Sequence, residues 1–156
     1  MTTTKNTKTR RPQPAQAAPA TNADASQADR GIIDFPNGLF GFPDQKRFVV
    51  LSSPEEAPFL RLQSVEDPTL TFLVVSPSAV TDDYQPEISD EDTQFLGLSA
   101  PHDALLFSIV SIQSDGQASA NFKGPIVVNR RTLLGRQVIP VNSADCPVRH
   151  ALPAAA

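Results

Sequence analysis

The chain has 156 residues, room for one modest domain, with 19% charged residues, fifteen prolines, nine phenylalanines, one tyrosine and no tryptophan. No run approaches the roughly 18 apolar residues a membrane span needs, and a lone cysteine, Cys146, excludes an internal disulfide and a cysteine-rich zinc site. The net charge of −4 hides two opposed parts: of thirteen basic and seventeen acidic residues, five and two lie in residues 1–30, leaving eight and fifteen beyond, +3 against −7.

Residues 1–30 contain no Val, Ile, Leu or aromatic residue. Such a basic Pro/Ala/Thr-rich segment buries too little apolar area to offset the entropy of ordering it, and it is expected to be a disordered tail. Lys5, Lys8, Arg10 and Arg11 are followed by no apolar segment, so no secretory signal is expected and the simplest compartment is the cytoplasm. From Gly31 the composition changes at once; a β domain is expected over residues 31–150, and residues 151–156 read as a frayed C-terminus.

Within the domain the apolar pattern is that of strands. Arg47–Leu51, Phe59–Gln63 and Leu70–Ser76 are short and separated by Pro-bearing turns. Ala104–Ile112, Ile126–Asn129 and Leu133–Val141 follow, and their length and content of Val, Ile and Phe suit β-structure. Asp115-Gly116, between Ser108–Ser114 and Gln117–Phe122, predicts a hairpin with a type I′ turn. One helix is predicted over Asp90–Leu96, capped by Ser89, acidic in its first turn and stopped by Gly97; Ser89 and Asp92 have capping-box spacing. Many strands and one short helix predict an all-β, mainly antiparallel fold, a small compact β-barrel-like domain.

Chemistry is sparse. There is no Gly-Lys-Ser/Thr phosphate loop and no Gly-x-Ser-x-Gly elbow, and Gly38 and Gly41 do not extend to a dinucleotide fingerprint; Leu39, Phe40 and Phe42 read as a turn with apolar anchors. His102 and His150 are too far apart in sequence to share ligand spacing. Cys146, with Asp145 and His150, is the one arrangement that tempts an enzyme reading, but a cysteine nucleophile needs an oriented base. An ordinary thiol and a surface imidazole are preferred. No catalytic, cofactor or metal residue is therefore assigned.

The run from Thr81 to Asp92 carries Asp82, Asp83, Glu87, Asp90, Glu91 and Asp92 with no base. It lacks the alternation and central Gly of a calcium loop. It is either a solvated loop leading to a helix start or a docking surface for a basic partner. Tyr84 within it suits an interface anchor, or else covers the core edge with its hydroxyl wet.

Ile33-Asp34-Phe35-Pro36-Asn37-Gly38-Leu39-Phe40-Gly41-Phe42 resembles the opening of the flagellar assembly factor FliW family, with Phe40 in place of the commoner Pro. Pro58-Phe59, Leu62-Gln63-Ser64, Asp67-Pro68 and Phe72, then Pro77 followed by Asp83-Tyr84, continue the likeness in order. Asn121-Phe122-Lys123-Gly124-Pro125-Ile126-Val127-Val128-Asn129 resembles the family's Asn-Leu-x-Ala-Pro-Ile-Val-Ile-Asn block, with Phe122 and Gly124 substituted, and Gly135 and Gln137 match its Gly-x-Gln. Asp145, Cys146 and the tail depart from the pattern.

The resemblance implies a non-enzymatic bacterial cytoplasmic protein that exchanges two partners. One is the RNA-binding translational repressor CsrA, held away from flagellin mRNA by an effect exerted at a distance from its RNA surface. The other is flagellin, whose accumulation recovers the factor and frees CsrA. On this reading Asp82, Asp83, Tyr84 and Glu87 are the expected CsrA contacts, with no cofactor, no direct nucleic acid and no membrane. Gly38, Gly41, Pro125 and Gly135 are expected to shape turns and core. Two other readings stay open: a small ligand-binding or hydrolytic β-barrel with a pocket beside Cys146 and His150, and an RNA module acting through the basic tail.

Overall fold

The computed structural model describes residues 31–152. The readings of residues 1–30 as a tail and of the last four residues as frayed lie outside the described residues. Nine strands form one curled sheet: β1 (Ile33–Asp34), β2 (Arg47–Leu51), β3 (Phe59–Ser64), β4 (Thr71–Val75), β5 (Ala104–Ile112), β6 (Ala118–Ala120), β7 (Ile126–Asn129), β8 (Gly135–Gln137) and β9 (His150–Ala151). Every pairing between them is antiparallel. The α-helix among the described residues is α1 (Asp90–Leu96).

The first four strands form a meander, and β4 hands on to β5 through Val74↔Ile109. The long strand β5 then forks. Its first half, Ala104 to Phe107, pairs with β7, whereas Val110 to Ile112 pairs with β6, which in turn holds β9. Strand β8 follows β7, and an isolated parallel bridge from Asp34 to Leu134 brings the sheet back to β1. Asp34 N–H donates to Leu133 O at 2.9 Å across that seam. The result is a half-barrel closed along one side by a single bridge.

Alternation along the strands sorts side chains to two faces. Phe48, Leu62, Val74, Phe107, Ile126 and Val128 fill the inside together with Phe35 and Leu39 from the first loop. On the outside, Val127 is covered by Leu96 of α1 and by Val138. Val75 and Val110 are covered by Ala120, Phe122 and Cys146, with Tyr84 and Leu152 at the edge. Both faces of the central strands are thus dry, which is why β7 is an unbroken apolar run ending in Asn129.

Local chemistry sets the ends. Ser89 Oγ accepts from Asp92 N–H at 3.1 Å, and Gly97, at φ 68°, closes α1 through Gly97 N–H to Gln94 O and Leu98 N–H to Thr93 O. The reciprocal half of a capping box is not made, because the Asp92 carboxylate turns to Arg136 at 3.2 Å.

Three expectations need correction. The hairpin turn is not type I′: only Gly116 has positive φ, 87°, and Gly116 N–H donates to Gln113 O while Gln113 N–H donates to Gln117 O. That is a three-residue loop with glycine in the left-handed position. The expected strand over Leu133–Val141 shrinks to Gly135–Gln137, because Leu133 sits at φ 59° in a turn and Pro140 cannot donate to a ladder. The C-terminal end is ordered past His150: Ala151 pairs with Ser119, and Leu152 N–H donates to Ala118 O.

Candidate functional site

The acidic segment has no regular secondary structure between Thr81 and α1, yet it is fastened along its length. Thr81 Oγ1 accepts from Asp83 N–H at 3.1 Å. The Tyr84 ring stacks on Phe122 at 4.1 Å, and its hydroxyl donates to Phe122 O at 2.6 Å. Asn142 bridges back from the far side, its Oδ1 accepting from Glu87 N–H at 2.8 Å and its Nδ2 donating to Gln85 O at 3.0 Å. Val141 N–H closes the span on Glu87 O at 2.7 Å.

The structure separates the four candidate residues into two kinds. Asp82, Asp83 and Glu87 are exposed, and among the described residues none of their carboxylates is in an ion pair. Tyr84 is half-buried, and burial pushes its phenol above the usual range, so it stays protonated as a donor. It covers the core edge, and its hydroxyl goes to a backbone carbonyl rather than to water.

Phe122 is the middle of a three-ring stack, with His150 on its other face at 4.5 Å. His150 is accordingly a packed, half-buried ring and not a free surface imidazole. The Cys146 thiol is buried, donates to Asn142 O at 3.5 Å, and is pushed up by burial and by Asp145. A nucleophilic thiol requires the opposite shift. Among the described residues no three His, Cys, Asp or Glu side chains converge as metal ligands, and no helix is long and apolar enough to cross a membrane.

Two surface clefts lie elsewhere, and neither is lined by Cys146 or His150. A groove of about 1070 Å³ runs beside β3 and the β5–β6 turn, with Ile112 at its rim. A cleft of about 400 Å³ lies between the Asn37–Phe40 turn, the start of α1 and the residues from Arg136 to Ile139. The turn itself is tight: Phe42 N–H donates to Leu39 O at 2.7 Å, and Gly41 at its third position has φ 85°. Leu39 points into the core and Phe42 packs edge-on against Phe72 at 5.2 Å, while Phe40 projects outward with 53% of its surface exposed. Phe40 N–H donates to Gln137 Oε1 at 2.8 Å, and Gln137 Nε2 donates to Gly124 O at 2.9 Å. The sequence reads this whole turn as structural; the outward course of Phe40 follows from its place at the first corner of the reversal, ahead of Gly41.

A curled β-domain with a filled interior, a pinned acidic segment and exposed apolar side chains beside it has the features of a protein-binding module. The family model described as FliW protein matches residues 19–152. The flagellar assembly factor FliW of Natranaerobius thermophilus is 36% identical over 123 residues, 78% of this chain and 81% of that protein. That of Bacillus licheniformis is 40% identical over 114 residues, 72% and 79% respectively. A crystal structure of the flagellar assembly factor FliW superposes with a TM-score of 0.71 at 31% identity, covering 80% of this chain and 87% of that one. This chain belongs to the FliW family.

Proposed function

We propose that the protein is a flagellar assembly factor of the bacterial cytoplasm that works by binding and not by catalysis. It antagonises the translational repressor CsrA, and it releases CsrA when it binds flagellin, so that flagellin translation follows assembly. The observation that carries this reading is the run of unpaired carboxylates, Asp82, Asp83 and Glu87, on a backbone fixed by Tyr84 and Asn142. A repressor that grips RNA is basic where it meets phosphate, and a domain of net charge −7 attracts it over a distance. Tyr84 serves this contact by holding the segment against Phe122.

Calorimetric titration with CsrA from the same bacterium, at low and moderate salt, tests the reading, with flagellin then added to the complex. Saturable binding that flagellin reverses is expected. Asp82→Lys with Asp83→Lys should slow association and weaken binding at low salt, because rim charges act mainly on encounter. Unchanged affinity in that folded variant removes the acidic run from the contact; no binding of either partner by the wild type removes the function.

A further inference from the structure

Ile139 and Val141 are 51% and 61% exposed, and the Pro140 between them is fully buried. The segment is locked: Val138 N–H donates to Pro125 O at 2.9 Å, Val141 N–H to Glu87 O at 2.7 Å, and Ser143 N–H to Pro140 O at 3.0 Å. Ile139 also lines the 400 Å³ cleft, as Phe40 does. Phe40 is held there through the Gln137 side chain, and one edge of its ring lies 3.6 Å from where a Gly124 Cβ would stand. Phe40 and Ile139 thus share one cleft, and Val141, two residues on from Ile139, is likewise left in water on a pinned backbone.

The surroundings state what would cover them. Glu91 and Asp92 line the cleft with Arg136, and Glu87 is tied to Val141 through its backbone. Arg136 is already engaged, at 3.2 Å from Asp92 and stacked 4.3 Å over the Phe95 ring. The Glu91 side chain, 84% exposed and with its carboxylate 4.0 Å from Arg136, also lines the cleft. An exposed aromatic ring sharing a cleft with a carboxylate that is mostly in solvent and only distantly paired suits a guanidinium, and apolar neighbours exclude water around it.

We propose that Phe40, Ile139 and Val141 anchor the interface with a basic protein partner, and that the cleft receives one arginine side chain of that partner between the Phe40 ring and the Glu91 carboxylate. The inference rests on the partner reading above and moves its energetic centre from the acidic run to the neighbouring apolar surface. Glu87 joins the two regions, since its carbonyl accepts from Val141. The acidic run then governs encounter and the patch governs dissociation.

The test is CsrA binding by the full chain and by Phe40→Ala, by Ile139→Ser with Val141→Ser, and by Glu91→Gln. Far-UV circular dichroism and thermal melts check each fold. Phe40→Ala and the double variant are each expected to lose about tenfold or more in affinity, mostly through faster dissociation. Glu91→Gln should lose a few-fold and flatten the salt dependence. A photo-crosslinking phenylalanine analogue at position 40 should trap CsrA, a readout that does not depend on loss of binding. Wild-type affinity in the first two variants, or no crosslink while the wild type binds, overturns the patch and leaves the partner. No binding by the wild type overturns both.

Discussion

Replacing Gly135 by alanine isolates a contact on which the inner core depends. Its backbone needs no special φ; the constraint is space. A Cβ built there stands 2.5, 2.8 and 3.0 Å from Cε1, Cζ and Cδ1 of Phe35, where ordinary carbon contacts begin near about 3.5 Å. The Phe35 ring is fully buried and meets Phe48 edge-on at 5.4 Å, so it has no free side toward which to move. Strand β8 cannot retreat easily either, since Gly135 is paired with Val128. Overpacking of this kind costs about 1–3 kcal/mol, and a displacement near 1 Å in a dry core belongs at the upper end. With an m-value of about 1.5 kcal/mol/M, a loss of about 3 kcal/mol lowers the urea midpoint by about 2 M. Phe35→Leu alone should cost about 1–2 kcal/mol, less than the roughly 3–5 of full truncation. Because the leucine vacates ring positions that the alanine needs, the double variant should be more stable than the sum of the two losses by at least about 1 kcal/mol. A Gly135→Ala midpoint within error of wild type, or strict additivity, refutes the reasoning.

Three further outcomes follow from single side chains and their partners. Asp103 is held below the usual carboxylate range by Ser99 N–H at 3.0 Å and then by Arg131 at 3.4 Å. Its contribution is therefore present above the unfolded value of about 4 and lost as pH falls through the lower folded value, and Asp103→Asn should flatten the acid limb of a stability–pH curve. An acid limb of unchanged steepness would deny Asp103 that role. The buried Cys146 thiol, raised by desolvation, should react slowly with a disulfide reagent at pH 8 in the native protein and rapidly in urea; fast native labelling would contradict its burial. Asn142→Ala removes both side-chain bonds to the acidic segment while leaving every carboxylate in place. It should cost about 1–2 kcal/mol of stability and weaken CsrA binding without changing its salt dependence, measured by titration at two ionic strengths.

What was legible in the sequence was what local chemistry decides. Arg47–Leu51, Ala104–Ile112 and Ile126–Asn129 match residue for residue, and Ser89 and Gly97 bound the helix as capping chemistry requires. The expected strand over Leu133–Val141 failed for a cause outside local chemistry. Leu133, Leu134, Val138, Ile139 and Val141 look like one apolar strand, yet Leu133 packs on the inner core, Leu134 and Val138 pack under α1, and Ile139 and Val141 face water. A single apolar run was divided among three destinations by a left-handed turn at Leu133 and a buried Pro140. Strands β1 and β9, two residues each, exist only because β2 and β6 offer them partners. The exposure of Asp82, Asp83 and Glu87 could be read from their charge. The stack of Tyr84, Phe122 and His150 joins residues distant in sequence and leaves no local trace.

That stack and Asn142 bear on why an irregular segment suits a binding surface. Carboxylates on a loose loop surrender backbone freedom on association, about 1–2 kcal/mol for each residue fixed. Here that cost is met during folding, because Asp83, Tyr84, Gln85 and Glu87 are each hydrogen-bonded before any partner arrives. The same fasteners tie the segment to the 138–142 stretch through Glu87 and Val141, so the charged and apolar surfaces are parts of one rigid body. The departures at Phe40 and Gly124 belong to that body as well. Phe40 rests where a Cβ at position 124 would crowd Gln137 Nε2 at 3.3 Å, the amide whose other end holds Phe40 N–H. Proline at position 40 would have no N–H to give, so the bond that pins this backbone to Gln137 depends on a residue such as Phe40 there. A partner approaching along the acidic run would thus meet Phe40 on a backbone already pinned, and the entropy of fixing that backbone would not be charged against binding.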